Sequence, residues 1–114
     1  MNEKNFIAFE EHFDVPLSQI IKMDKIVIFS SAVTDIRQIT DMLNRLKLPY
    51  KVVIMSMGKM RNRDGFQQLQ TLTDWDYLPQ IFINGKFIGG ISEFLQFDLE
   101  GANIVPEPKD DIAL

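Results

Sequence analysis

The sequence predicts an α/β domain in which one four-stranded mixed sheet carries helices on its faces. Three observations predict it. Residues 26–29 (IVIF) and 50–55 (YKVVIM) are apolar runs rich in β-branched residues, as strands covered on both faces are. Between them Ile36, Ile39, Met42, Leu43 and Leu46 recur at helical spacing over residues 33–46, so strand, helix and strand form one right-handed parallel unit. Residues 80–83 and 86–88 flank Asn84-Gly85, the strongest short-range signal for a two-residue hairpin.

The other elements fill in around this frame. Phe6, Phe9 and Phe13, with Ile7, mark roughly one helical face over residues 5–13, and Pro16 opens a second short helical piece with Leu17, Ile20 and Ile21 inward. Residues 1–24 are therefore expected to be a helical extension of a domain spanning 25–100. Ser31 or Thr34 is the candidate cap of the 33–46 helix. Phe66, Leu69 and Leu72 give a further helix over 62–72. Gly89-Gly90 ends the hairpin, and 91–97 read as a last helix. The Pro-rich, acidic end, 101–114, is expected to be a mobile tail.

Composition narrows the chemistry. A chain of 114 residues that is 46% hydrophobic is long enough for one core without cross-links. Its net charge of -4 argues against broad binding to nucleic acid or an anionic membrane surface. No apolar run approaches the length of a membrane span, and the amino terminus lacks the pattern of a signal peptide; a cytoplasmic protein is the default. The chain has no cysteine and one histidine, His12. It therefore supplies no disulfide, thiolate nucleophile or cysteine-ligated metal, and a histidine-only metal site is implausible. His12, in an acidic and aromatic segment, reads as a surface or packing residue.

The order of elements, with LPQIFINGKFIGG at 78–90, resembles glutaredoxins of the thioredoxin-fold superfamily over residues 25–97. Trp75, four residues before Pro79, resembles the monothiol branch. The resemblance implies a thioredoxin-like (glutaredoxin) fold and a cis peptide before Pro79. It also implies that the Leu78 backbone faces outward, free to pair with an extended peptide or the cysteinyl part of glutathione.

The same resemblance locates a missing part. Glutaredoxins open their first helix with Cys-Pro-Tyr-Cys or Cys-Gly-Phe-Ser. The matching tetrad here is Val33, Thr34, Asp35 and Ile36, or the register beginning at Thr34, and neither contains sulfur. A hydroxyl does not replace a thiolate in disulfide exchange. Asp35, expected in the first helical turn, favours the helix and opposes a second anion there. The family's lysine after the first strand is replaced by Ser30 and Ser31. Its cation on the third helix falls at Phe66, with Arg61 and Arg63 nearby, and its aspartate after Gly-Gly falls at Ile91-Ser92.

The expected binding groove is Ser31, Trp75, Tyr77, Leu78, Pro79, Gly89, Gly90, Ile91 and Ser92. Met55, Met57 and Met60 are either core or an adaptable contact surface. Three functions are open at this stage. The first is a non-catalytic binding or regulatory module that uses the cis-proline groove for an unidentified protein partner. The second is a glutathione-dependent enzyme, transferase-like, using the hydroxyl of Ser31, Thr34 or Tyr77. The third is a structural or oligomerisation role through residues 6–21. The first is preferred. Glutathione is the one cofactor the resemblance implies, weakly held. A redox or iron–sulfur role by family membership is a further alternative, through a glutathione-ligated cluster held by a partner and not through thiols of this chain.

Overall fold

The computed structural model describes residues 5–106. In chain order the elements are β1 (Phe6–Ala8), a 3₁₀ turn (Phe9–His12), α1 (Leu17–Ile20), β2 (Ile26–Ser30), α2 (Arg37–Leu46), β3 (Lys51–Ile54), α3 (Met60–Thr73), β4 (Gln80–Ile83), β5 (Lys86–Gly89) and α4 (Ile91–Leu95). One five-stranded sheet has the order β1-β3-β2-β4-β5. β1 and β2 both run parallel to β3, whereas β4 lies antiparallel to β2 and to β5. The β4–β5 hairpin turns at Asn84 and Gly85, both at positive φ, as the Asn-Gly pair predicts.

The fifth strand corrects the helix expected over residues 5–13. The phenylalanine spacing fits a helix, yet Phe9 alone of the three is buried, and Phe6 and Phe13 are partly exposed. Phe6, Ile7 and Ala8 instead pair with Val52, Val53 and Ile54. The open edge of β3 decides this. Its backbone donors and acceptors need partners, and a strand supplies them where a helix does not.

Alternation along the strands splits the core in two. Ile26 and Ile28 face α2 and α4, packing with Ile39, Leu43, Ile81 and Phe94. Val27 and Phe29 face the other side, with Phe9, Ile20, Val53 and Leu69. Ile104 is 2% exposed and belongs to the first cluster, so packing continues past the expected boundary at residue 100. Of the tail expected to be mobile, 107–114 lie outside the described residues.

α3 carries a glycine for a packing reason. A Cβ on Gly65 would sit 2.3 and 2.4 Å from the Phe9 ring. That ring is buried and rigid, so it cannot swing aside cheaply. Gly65→Ala gains about 1 kcal/mol of helix propensity but overpacks the core at a cost of up to about 3 kcal/mol. A net loss of about 1 to 2 kcal/mol is expected in urea unfolding, partly recovered when Phe9→Leu is added.

Candidate functional site

The sheet pairing builds the site. Phe29 of β2 opposes Gln80 of β4, and continuing that register brings Ser30 to Pro79 and Ser31 to Leu78. The loop after β2 and the turn before β4 therefore meet at one end of the sheet, and β5 returns Gly89 and Gly90 to the same end. The Leu78–Pro79 peptide is cis. Pro79 is buried and Leu78 is half-buried against the second core cluster. Among the described residues, neither the N–H nor the C=O of Leu78 has a partner within the chain.

Gly89 adopts φ 120°, and a Cβ there would lie 2.6 Å from the Glu93 side chain, so glycine is required. At Gly90 a Cβ would meet only ordinary contacts, with the Pro79 C=O at 3.5 Å and the Trp75 ring at 3.7 Å. The Gly90 N–H donates to Glu93 Oε1 at 2.9 Å, which closes the start of α4. Ile91 is partly buried against the first core cluster, and Ser92 is exposed in the first turn of α4.

The segment where a nucleophile was sought is not helical. α2 begins at Arg37, four residues after Val33, correcting the start expected at 33. Val33 sits on a loop and is 95% exposed, whereas Ile36 points into the core at 7% and is no part of the groove. Ser31 and Thr34 do not cap the helix. Their hydroxyls bond each other at 2.6 Å. The N-cap position is Ile36, which has no capping side chain; Asp35, one residue before it and not in the first turn, accepts the Arg37 N–H on its Oδ1 at 3.0 Å. The sequence offered three oxygen-bearing residues at this junction, and side-chain direction, which spacing does not reveal, chose among them.

Arg37 also reaches back with its guanidinium, Nη2 to Asp35 Oδ2 at 2.9 Å. The guanidinium bonds, then the backbone N–H, hold the Asp35 carboxyl down from 3.8 to about 2, and the Arg37 pKa rises in turn. A depressed carboxylate contributes its stability above the unfolded value and loses it as pH falls. The pair is therefore fully formed above 3.8 and lost as pH falls through about 2. In Arg37→Gln the Asp35 carboxyl, followed by NMR titration, is expected to return towards 3.8.

Other expected groove residues divide. Trp75 packs edge-on against Phe87, centroids 5.5 Å apart, extending a chain of rings through Phe82 to Phe29. Tyr77 is 72% exposed. Met55 is fully buried, while Met57 and Met60, which follow β3 at the same end of the sheet, are exposed. Arg61 lies over the Phe13 ring at 5.1 Å, and Arg63 donates to the Met57 C=O at 2.8 Å, so both are engaged within the chain. Phe66 is partly buried. His12 Nδ1 lies 3.2 Å from the Ala8 C=O, a packing role.

The residue that sequence reasoning missed is Gln80. It is fully buried, its Nε2 donates to the Trp75 C=O at 2.9 Å, and its Oε1 faces the Thr73 hydroxyl at 2.8 Å. That hydroxyl also reaches the Leu69 C=O at 2.9 Å and shares one proton between the two. Gln80 thus ties the end of α3, the Trp75 loop and β4 together. Its signal was available: a lone amide opening an otherwise apolar buried strand needs partners. Gln80→Leu is expected to cost about 1 to 3 kcal/mol. Trp75 is the only tryptophan, so its emission should shift to the red as the loop loosens.

With this geometry in hand, the comparisons are consistent. No known family model matches the chain. It is 28% identical to glutaredoxin-related protein 5, mitochondrial, of Danio rerio, over 75% of this chain and 57% of that protein, so it spans little more than half of that relative's length. The buckwheat glutaredoxin–glutathione complex superposes at a TM-score of 0.63 and 18% identity, covering 77% of this chain and 78% of that one. Reduced glutaredoxin C1 from Populus tremula x tremuloides gives 0.64 and 21%, covering 90% and 84%. The chain has the thioredoxin fold. Within that fold the chain is similar to glutaredoxins, carries no cysteine, and has a fifth strand beyond the four expected.

Proposed function

We propose that this chain is a non-catalytic binding module that holds an extended segment of a partner protein in the groove around Val33, Tyr77, Leu78 and Pro79. The observation that carries the reading is the contrast at one site. The Leu78 peptide, with both backbone groups unpaired beside a cis proline, is available for strand-like pairing, while an exposed valine stands where a thiolate would be needed. A groove without its nucleophile is a receptor. The cytoplasm remains the compartment we assign.

The alternative is glutathione binding without a thiol of the chain's own. It is favoured by the unpaired Leu78 peptide and by a neighbour of the same fold that is a glutathione complex. One cation counts against it: the Arg37 guanidinium is paired with Asp35, whereas Arg63, which gives one N–H to the Met57 C=O, keeps its charge. A transferase using Ser31 is less favoured still, because that hydroxyl is nearly buried and bonded to Thr34.

The test is reduction of a glutathione mixed disulfide by the chain and by Val33→Cys. Neither is expected to exceed a free thiol. The new cysteine lies ahead of the helix, where the dipole has faded, and beside Asp35. Its pKa is expected at or above about 8.5. Turnover by either protein would overturn the reading. Saturable amide shifts at Leu78, Gly90 and Ser92 with reduced glutathione alone would favour the alternative.

A further inference from the structure

We propose that residues 107–114 fold back onto their own chain and seat Ile112 and Leu114 in an apolar groove beside the end of α2. This groove is separate from the cis-proline site. α2 starts near that site and runs back antiparallel to β2, so its last turn lies at the other end of the sheet, where β3 begins. Leu46 and Leu48 line the groove from the α2 side. Leu99, Ile104, Val105 and Pro106, from the segment after α4, line it from the other, around a cavity of about 280 Å³. Leu48 and Ile104 are buried members of the first core cluster, so the groove opens directly onto the core. Leu46 and Val105, 45% and 48% exposed, stand at its mouth.

The sequence that follows has the position, the turn and the pattern to fill it. Pro106 is itself part of the lining, so residue 107 starts at the groove. Pro108 occupies the second position of a turn over 107–110, the place proline favours when a chain reverses. Six residues separate Pro106 from Ile112, a reach of up to about 20 Å when extended and ample for a return. In an extended piece Ile112 and Leu114 share one face and Ala113 takes the other. One short stretch thus offers two large apolar side chains to an apolar slot.

Charge agrees with this occupant. Arg45 and Lys47 are exposed at the end of α2, and among the described residues neither makes a salt bridge. Lys51, at the same end, already takes Asp24 at 3.9 Å. Of the carboxylates nearby, Asp98 accepts the Gly101 N–H, Asp41 lies one turn before Arg45, and Glu100 belongs to the lining. Residues 107–111 bring Glu107, Asp110 and Asp111 against Lys109 alone. Asp110 and Asp111, just ahead of Ile112, suit Arg45 and Lys47, and Lys109 suits Glu100. These surface pairs are worth little each; the apolar contact carries the docking and the charges orient it.

The absence of cysteine makes the test direct. Ala113→Cys in the full chain takes a nitroxide label at that one position, on the face turned away from the groove. Amide signals of Leu46 and Leu48 are expected to be strongly weakened at every protein concentration, and those of Val33 and Tyr77, at the other end of the sheet, to keep their intensity. Reducing the label restores the full spectrum and shows the fold intact. Adding Ile112→Asp and Leu114→Asp, outside the packed domain, should restore Leu46 and Leu48 with the label still active. Added salt should weaken the effect in part. Equal attenuation in the doubly substituted chain means a merely tethered segment and overturns the proposal. Full-strength Leu46 and Leu48 signals in the singly labelled chain overturn it as well. Attenuation that appears only when labelled chains are mixed with isotope-enriched, unlabelled ones assigns the groove to a second copy and overturns docking within one chain.

Discussion

β2 is buried along its whole length and is hydrogen-bonded on both sides, parallel to β3 and antiparallel to β4. The site depends on the second of these pairings. It sets which residue of the loop after β2 faces which residue of the turn before β4, and a slip of one would turn every side chain of β4 to the wrong core. The register is over-determined. Ile81 and Ile83 belong to one core cluster and Phe82 to the other, while Gln80 is tied to Trp75 and Thr73. The groove is thus held by the rigid middle of the sheet, although its walls are loops.

Against that rigid frame the loop from Ser31 to Ile36 spends its polar groups on itself and on the start of α2. A thiolate at a strand-to-helix junction draws on the unsatisfied N–H groups of the helix and on nearby cations. Here the Arg37 N–H and guanidinium both go to Asp35. The positive end of α2 is consumed by a neighbouring carboxylate. A group placed at Val33 would thus face a helix start whose first N–H is already taken.

Much of the fold was legible in the sequence, and the reasons differ by element. β2, β3 and the hairpin were legible because apolar runs and Asn-Gly act locally. β1 was not, because three residues gain their strand conformation only from the edge of β3, 46 positions away in the chain. The start of α2 was misplaced because helical spacing from Ile36 onward says nothing about residues 33–35. The cis peptide before Pro79 and the turn at Gly89 were legible in the 78–90 segment. Ile36, matched to the last residue of the missing tetrad, points into the first core cluster, as its place in the helical apolar spacing predicts. The partnership of Gln80 with Trp75 and Thr73 needed coordinates, since it joins three elements through one amide.

β1 has a consequence for colloidal behaviour. Three residues long and partly exposed, it is, among the described residues, the strand that covers the β3 edge of the sheet, and beneath it lies the apolar run Val52-Val53-Ile54. Should β1 peel away, that run becomes an open strand of high β-propensity with no charge inside it, a template for pairing with another chain. What keeps β1 seated is largely the adjoining Phe9, sunk into the gap that Gly65 leaves in α3. A missing side chain on a helix thus guards the solubility of a strand on the far side of the core.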